Sequence, residues 1–475
     1  MASSKRVNSV LWAAATVAVI VLAAVIYAWR PTIAPITPPA PSSFDPALVQ
    51  RGAALAALGD CNTCHTGSDG RTFAGGLPIP TPFGTIYSSN ITPDPKAGIG
   101  RWSEAAFSRA MRDGIDREGR YLYPAFPYDH FTLVSDADNH ALYAYLMTRQ
   151  PVEKTAPPPE LPFPLNIRMV MAGWNLLYLK TGPFKPDPNH DATWNRGAYL
   201  VEGLGHCGAC HTPRNWLGAE RRTDFFGGGD AEGWHAFTIN AASQSPIPWD
   251  EASLYSYLRT GFHGLHGVAR GPMAPVVGNL GTVDDKDLHA MAIYVASVMG
   301  KPEAAREANA KKLAASVRTT GNGTIPQSGG IQSVTPAATD KAEGAAIYAT
   351  TCATCHESGR PVPYGGIGLQ LSSAIADSSP RNLINVILNG VPAADGTKGP
   401  MMPGFGDVMN DKQIDALVNY LRGHFGAKPA WSDVPNEIAA ARAEIAHAQT
   451  ISAPAPSTTG TNAPPKPGNA GKTQP

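Results

Sequence analysis

One short motif occurs three times in this chain of 475 residues, and it constrains the fold more than any other feature. The motif reads Cys-x-x-Cys-His and starts at Cys61, Cys207 and Cys352. The starting points lie 146 and 145 residues apart, and the three motifs contain all six cysteines of the chain. Because a fixed period is typical of a repeated architecture, the sequence predicts three structural units of the same kind.

The sequence around each motif predicts a small helical unit. An apolar helical run with a glycine precedes each motif, at Gly52, Gly197 and Gly344. The last helix of each unit is predicted to begin at an aspartate, which would act as a cap or as a first-turn acid. These last helices contain the pairs Ala141 and Tyr145, Ala290 and Tyr294, and Ala416 and Tyr420. We expect the glycine to let the first helix approach the last one closely, with the tyrosine filling the crossing.

A middle helix and the linkers complete the predicted organisation. Residues 102–114, 248–261 and 380–390 each have the pattern of a helix that ends at a glycine. Proline-rich and Gly/Ser/Thr-rich stretches separate the units. The sequence therefore predicts an all-α protein with a first, second and third unit at residues 44–150, 190–300 and 338–426. The polar segment 452–475 is predicted to be a disordered tail.

The Cys-x-x-Cys-His motif is typical of covalent attachment of c-type haem. In that chemistry the two thiols become thioethers and the histidine is the proximal iron ligand. A thioredoxin-like redox motif would not occur three times, a structural zinc site needs a second pair nearby, and disulfides leave the histidines without a role. The sequence therefore predicts three covalently bound c-type haems in three tandem cytochrome c domains. The attachment residues are Cys61, Cys64, Cys207, Cys210, Cys352 and Cys355, and the proximal ligands are His65, His211 and His356.

The sixth iron ligand differs between the units. A haem that only transfers electrons usually has a second protein ligand, often methionine. Met402 is the candidate in the third unit, with Met401 as the second choice, and Met273 occupies the same loop of the second unit. The corresponding residue of the first unit is Phe126, which cannot bind iron. His130 is therefore the predicted ligand of the first unit, and an open site is the alternative.

The N-terminal region predicts a membrane anchor. Residues 10–29 carry no charge and, as a helix, are long enough to span the ~30 Å hydrocarbon core. Lys5 and Arg6 precede this run, so the positive-inside rule places the units outside the cytoplasm, in the periplasm. A cleaved signal peptide is the alternative, although its apolar region is usually shorter. The apolar stretch 167–179 is too short to span, and it predicts a packed interdomain helix or, as the alternative, an interfacial or partner-binding helix.

Charge and motif content exclude other classes of protein. The 38 basic residues balance 38 acidic ones, so the sequence predicts no basic surface for nucleic acid. The chain also lacks a recognisable Ser/His/Asp set or catalytic carboxylate pair. We therefore expect no substrate chemistry by this chain alone.

Several long runs resemble the triheme cytochrome c subunits of membrane-bound bacterial dehydrogenases for alcohol, gluconate, fructose and aldehyde. The runs include GTIYSSNITPDPKAGIGRW (84–102), LPFPLNIRMVMAGWN (161–175), NRGAYLVEGLGHCGACHTPRN (195–215) and MPGFG (402–406). The resemblance implies a subunit that takes electrons from a catalytic partner of flavin, quinoprotein or molybdenum type. It also implies transfer to ubiquinone or another respiratory acceptor at the cytoplasmic membrane.

One departure within this family concerns the substrate. Alcohol and gluconate members usually have a methionine where Phe126 stands, and the segment AFPYDHF resembles members paired with molybdenum-containing aldehyde or N-heterocycle hydroxylases. Two other functions stay open at the level of the sequence. A haem enzyme of the peroxidase type would use an open first site, and a docking anchor would hold a dehydrogenase at the membrane with only one or two haems in use.

Overall fold

The structure is a computed structural model that describes residues 2–320, 340–357, 366–392 and 401–452. The described residues are rich in helix and also form three two-stranded antiparallel hairpins, which the sequence did not predict. The predicted tail from residue 453 onward and most of the linker between the second and third units lie outside the described residues. With helices and strands numbered along the chain, those outside the units are α1 (Ala2–Ala28), α7 (Met171–Tyr178), α13 (Ala304–Thr320) and α19 (Val434–Ser452).

The first unit places its motif between helices with clear end signals. Asp45 caps the first helix, and Ser103 caps the middle helix, which ends at Gly114 in the left-handed conformation. A short hairpin lies between the motif and the middle helix. The elements are α2 (Pro46–Leu58), α3 (Cys61–His65), β1 (Pro78–Thr81), β2 (Gly84–Tyr87), α4 (Glu104–Asp113), α5 (Tyr128–Phe131) and α6 (Asp136–Met147).

The second unit repeats this order. Its first helix continues through a π-helical turn at Tyr199–Leu204 into the motif, and its middle helix begins at a capping box of Asp250 and Ser253. Gly261 ends that helix with a φ of 72°. The elements are α8 (Ala192–Ala198), α9 (Gly208–His211), β3 (Gly229–Ala231), β4 (Trp234–Ala236), α10 (Glu251–Thr260), β5 (Phe262–His263), β6 (Gly267–Val268), α11 (Met273–Leu280) and α12 (Asp285–Met299).

The third unit has the same helix order in its described residues. A π-helical turn at Tyr348–Cys352 again leads into the motif, and Gly390 ends the middle helix with a φ of 69°. The elements are α14 (Asp340–Ile347), α15 (Ala353–His356), α16 (Ser373–Ala376), α17 (Arg381–Asn389) and α18 (Asp411–Phe425). The predicted middle helices of all three units are therefore confirmed, with their glycine ends.

The predicted crossing of first and last helices is confirmed in every unit. A Cβ atom added to the glycine of the first helix would lie almost on a main-chain carbonyl oxygen of the last helix. These distances are 2.0 Å for Gly52 and Ala141, 2.0 Å for Gly197 and Ala290, and 2.2 Å for Gly344 and Ala416. Since no side chain larger than hydrogen fits there, the glycine sets how closely the two helices pack.

Each last helix begins at the aspartate that the sequence predicts. Asp136, Asp285 and Asp411 are each the first residue of their helix, where a negative charge favours the N-terminus. The residue before each of them provides the cap, and these caps are Ser135, Asp284 and Asn410. Of the two predicted roles, cap or first-turn acid, the three aspartates have the second.

The apolar core is divided unequally among the units. The first and second units share one continuous cluster of buried side chains, which includes Leu55, Leu142, Leu200 and Met291. The third unit forms a separate cluster together with α19. The first two units are therefore joined by apolar packing, whereas the third has a core of its own.

Helix α7 has two different faces. Met171, Ala172 and Trp174 are buried, and the Trp174 indole N–H donates to the main-chain oxygen of Leu217 at 3.2 Å. Leu176 and Leu177 on the other side are 65% and 67% exposed. The predicted packed helix describes the first face only.

Candidate haem-binding sites

Each motif forms a single helical turn that carries its histidine at the C-terminal end. The first cysteine of every motif is half-buried, whereas Cys64 and Cys355 are exposed. One turn of helix places the two sulfurs and the imidazole of a motif on neighbouring positions. This is the arrangement that covalent haem attachment requires of a chain.

The three motif histidines share one hydrogen-bonding pattern. Nδ1 lies 2.6 Å from the Ser89 carbonyl oxygen in His65, 2.6 Å from that of Phe237 in His211, and 2.9 Å from that of Ile367 in His356. A carbonyl oxygen can only accept, so Nδ1 carries the proton and Nε2 has the lone pair that an iron ligand needs. Burial lowers the pKa of all three rings, which keeps them neutral.

Each motif contains at least one cysteine whose pKa is raised. Burial raises the pKa of Cys61 and Cys207 to about 12, and that of Cys352 to about 11. Catalytic and redox-sensing cysteines have a lowered pKa. The thiols are therefore neutral at physiological pH, which argues against a disulfide-exchange function for these pairs.

The second and third motifs open onto one continuous cavity of about 410 Å³. Its lining is mostly apolar and contains residues of both units. The predicted ligands and attachment residues on this cavity are Cys207, Cys210, His211, Met273, Cys352, Cys355, His356, Met401 and Met402. The structure thus brings together two of the three predicted site groups. Among the described lining residues there is none from the first motif.

The two candidate methionines are held by different elements. Met273 is the first residue of α11, where it is half-buried at the cavity. Met402 is fixed by two main-chain hydrogen bonds of 2.8 Å with Val391, next to the close approach at Gly390. Met401 also reaches the cavity but is 58% exposed. This geometry supports Met402 over Met401.

Arg270 is a cavity residue that the sequence did not reveal. One of its terminal nitrogens donates to the Gly390 carbonyl oxygen at 3.2 Å, while its buried Nε has no partner. Haem carries propionate carboxylates, and an arginine N–H inside a cavity is a donor that suits a carboxylate. The residues present therefore fit the group. Its position three residues before Met273 is the only signal in the sequence.

The first site differs from the other two. His130 is buried, with Nδ1 at 2.6 Å from the Glu202 carbonyl oxygen and Nε2 at 2.6 Å from the Glu220 carboxylate. Burial lowers the pKa of His130, but the hydrogen bond and the charge of Glu220 outweigh this effect, so the pKa of His130 is raised overall. Both ring nitrogens are thus committed to the second unit, and His130 would have to leave Glu220 to bind iron. His130 as a ligand stays a prediction.

Phe126, at the methionine position of the first unit, belongs to an aromatic cluster. Its ring centroid lies 5.2 Å from that of Phe131 and 6.4 Å from that of Tyr128. The loop that carries a methionine in the other units is therefore filled by packed rings in the first unit.

The first motif also contacts the second unit directly. Asn279, near the end of α11, donates through its amide to Asn62 at 3.1 Å and to Asp60. Helix α11 begins at Met273 on the shared cavity, so its two ends reach two different sites. The second unit consequently lies against both of its neighbours.

Part of the chain matches a known protein family. Residues 339–421, which contain the third motif, match the family described as cytochrome C oxidase, cbb3-type, subunit III. This match supports a cytochrome c fold for the third unit.

Three relatives match most of the chain. It is 46% identical over 419 residues to a nicotinate dehydrogenase subunit of Pseudomonas putida, covering 87% of this chain and 33% of the relative. It is 37% identical over 411 residues to the fructose dehydrogenase cytochrome subunit of Gluconobacter japonicus, covering 82% of each. It is 37% identical over 398 residues to the gluconate 2-dehydrogenase cytochrome c subunit of Pantoea cypripedii, covering 80% and 86%. The chain thus spans about a third of the first relative and more than four fifths of the others.

Proposed function

This chain belongs to the family of cytochrome c subunits of bacterial dehydrogenases, and from that premise we propose that it is a membrane-anchored electron-transfer subunit with three haems. It would accept electrons from a catalytic dehydrogenase partner and deliver them to ubiquinone or another respiratory acceptor. One observation carries the proposal. All three motif histidines donate a hydrogen bond from Nδ1 to a main-chain carbonyl oxygen. The lone pair on Nε2 would then be available to bind iron, beside a pair of cysteines.

The chain's own residues would hold and tune the cofactor. A bound haem iron accepts and donates single electrons as it changes between the ferric and ferrous states. The cysteine pairs would fix the porphyrin, His65, His211 and His356 would bind the iron, and Met273 and Met402 would complete the second and third sites. Arg270 would neutralise carboxylate charge in the shared cavity. The sixth position of the first site belongs to His130 only if that ring exchanges Glu220 for iron.

The arrangement of the units supports a linear relay with the second unit in the middle. The second unit shares an apolar core with the first and a cavity with the third. Electrons that enter at one outer unit would therefore leave at the other. The domain ranges 44–150, 190–300 and 338–426 are part of this proposal.

The N-terminal helix supports anchoring at the cytoplasmic membrane. Residues Leu11–Ala28 have a mean hydropathy of 2.4 and form the one helix among the described residues that is long and apolar enough to cross a bilayer. We propose that this helix is retained, with the three units in the periplasm. A cleaved signal peptide would give the same compartment without the anchor.

We propose that the catalytic partner oxidises an N-heterocycle, in a complex of the molybdenum type. The 46% identity to a nicotinate dehydrogenase subunit, against 37% to the fructose and gluconate subunits, supports this choice. Phe126 supports it independently, because the methionine typical of alcohol and gluconate subunits is absent. The three relatives give no support to the peroxidase-type alternative.

The test is substrate-driven reduction in the native complex. The tagged full chain is purified from its own membranes with its bound partner, and nicotinate, an aldehyde, gluconate and an alcohol are added in turn. We expect an N-heterocycle to reduce the haems, seen in the visible spectrum, and to support reduction of added ubiquinone. If only gluconate or an alcohol reduced the haems, the proposed N-heterocycle substrate would be wrong. If none of these compounds reduced the haems, the proposed electron-transfer role would be wrong. Replacement of both Met273 and Met402 should abolish quinone reduction, whereas unaltered turnover would indicate a docking anchor.

A further inference from the structure

An exposed apolar surface surrounds helix α7. Phe163 is 80% exposed, Trp216 is 83% exposed, and Leu176 and Leu177 are each about two thirds exposed. Val170, just before the helix, is 40% exposed. Single exposed apolar side chains are ordinary, but several large ones grouped around one helix indicate an interaction site. Together these five residues form the α7 surface.

The members of the α7 surface are carried by segments that share one buried cluster. That cluster contains Met171, Ala172 and Trp174 of α7 and Ala219, with Leu161 and Leu165 packed against it. Phe163 lies in sequence between the two leucines. Trp216 precedes Leu217, whose carbonyl oxygen accepts the Trp174 indole hydrogen bond. The segments that carry Phe163 and Trp216 are therefore tied to the cluster that contains α7, and both side chains are exposed.

Helix α7 is apolar on its outer face as well as its inner face. Its eight residues, MAGWNLLY, contain no charge. Arg168, three residues before the helix, donates to the Tyr121 carbonyl oxygen at 3.0 Å, with its guanidinium over the ring of Tyr123. A soluble surface helix has charged residues on its outer face, and α7 has leucines there.

The cluster that contains α7 also contacts the proposed membrane helix. Ala28, at the end of α1, is buried in the same cluster as Met171 and Trp174. The preceding part of α1 is exposed along its length, with only 6% of Leu11–Ala28 buried. If α1 crosses a bilayer, its contact with the cluster holds α7 at the level where the bilayer ends.

The residues around this junction are those favoured at a lipid interface. Trp29 at the end of α1 is 63% exposed, and with Trp216 it supplies aromatic rings of the kind found at headgroup level. Lys180 and Lys185, which follow α7, are exposed and would face anionic headgroups.

We propose that the α7 surface lies in the outer leaflet of the membrane, with α7 parallel to the bilayer plane and its leucines among the lipid chains. This inference rests on the proposed role of α1 as an anchor. It assigns lipid, because the surface is joined to the one described helix that could span a bilayer and carries the aromatic and basic residues of an interface. A second, peripheral contact of this kind would fix the orientation of the first unit on the membrane.

The experiment uses the full haem-loaded chain in vesicles of phosphatidylcholine and phosphatidylglycerol, without its partner. A photoactivated carbene probe confined to the bilayer labels the side chains that contact lipid, and peptide mass spectrometry locates the label. We expect label in the α7 surface as well as in α1. Val408, an apolar residue of the third unit that is 74% exposed, is the internal control and should stay unlabelled. A water-soluble carbene probe should give the reverse pattern.

A matched variant sharpens the result. The double substitution Leu176→Ser and Leu177→Ser should reduce labelling of residues 163–179 several-fold and leave labelling of α1 unchanged, with an unaltered haem spectrum as evidence of folding. Label confined to α1 would overturn the inference while leaving the anchor intact. Absence of label from α1 as well would overturn both. Equal labelling of Val408 and the α7 surface would also overturn the inference, because exposure alone would then explain it.

Discussion

The second unit meets its two neighbours in different ways. Its joint with the first unit is a continuous apolar core, crossed by the buried contact of His130 with Glu220. Its joint with the third unit is a cavity. At its border the Asn382 side-chain amide donates to the His235 carbonyl oxygen at 2.6 Å and accepts from the His235 main-chain N–H at 3.0 Å. Packing therefore fixes the first joint, whereas the second joint contains a cavity lined by the predicted ligand residues.

The loop that holds Phe126, Met273 or Met402 thus has different contacts in the three units. In the second and third units the loop directs a methionine to the cavity. In the first unit the same loop is filled by Phe126 and its aromatic neighbours, and its histidine is used to bind the next unit. Substitutions at each joint test whether stability and ligand binding are divided in this way.

The largest expected effect comes from removing a proposed iron ligand at the cavity between the second and third units, which we call the cavity joint. Met402→Ala should lower the reduction potential of one haem by roughly 200 mV, about a quarter of the ~0.8 V range that axial ligands set. That shift corresponds to about 5 kcal/mol at ~2.3 kcal/mol per 100 mV. Potentiometric titration of the visible bands measures it. Met401→Ala is the matched control, and a fall in potential in that variant would transfer the ligand role to Met401.

The next largest effect is on the stability of the apolar interface between the first and second units. His130→Phe leaves Glu220 buried without its partner, and removing one member of a buried pair costs roughly 3–5 kcal/mol of unfolding free energy. His140→Phe is the control, because its partner Glu104 is about half exposed and such pairs contribute less than about 1 kcal/mol. Urea denaturation of the full chain measures both.

The same variant decides the role of His130. Because both ring nitrogens already have partners, we expect the reduced His130→Phe protein to bind carbon monoxide no more than the parent. New carbon monoxide binding at one haem, with little loss of stability, would show instead that His130 is an iron ligand.

A smaller effect is expected at the helix crossing that all units share. Gly344→Ala places a methyl group against the Ala416 carbonyl oxygen, and overpacking of this kind costs roughly 1–3 kcal/mol. Gly423→Ala, in the last helix of the same unit, meets no atom within 4 Å and should stabilise by up to about 1 kcal/mol, as alanine does in helix interiors. Equal unfolding midpoints for the two variants in urea would contradict the close crossing.

The smallest effect concerns pH at the cavity joint. The hydrogen bond from His235 to Asp230 raises the pKa of His235 in the folded chain. A raised pKa stabilises the fold below the unfolded value of about 6.5, and this contribution is lost as pH rises through the folded value. Since Asp230 is 88% exposed, His235→Gln should cost less than about 1 kcal/mol below about pH 6 and nothing above about pH 8. An equal cost at both values would exclude the charge as the cause.

The sequence was sufficient to predict those features of the fold that depend on residues within one unit. Glycine ends, first-turn aspartates and the glycine-to-alanine crossings all depend on residues within one unit, and the structure confirms them. The period of the motif indicated the repeat because each copy carries the same local signals.

The joints could not be predicted in this way. His130 and Glu220 are 90 residues apart, and Asn279 and Asn62 are 217 residues apart, so no local pattern relates them. Arg270 has no periodic signal, and its importance depends on a cavity that two units build together. The apolar stretch around α7 was ambiguous because one face packs and the other is exposed, and only the folded chain separates them.

Covalent haem attachment is tested by the intact mass of the mature chain after denaturation and extraction with acidic acetone, which removes any haem that is not covalently bound. We expect a polypeptide that retains the mass of three haems, with the added mass on the peptides containing Cys61, Cys207 and Cys352. A mass equal to that of the amino acids alone would contradict this expectation, and a mass with two haems would remove the first unit from the relay.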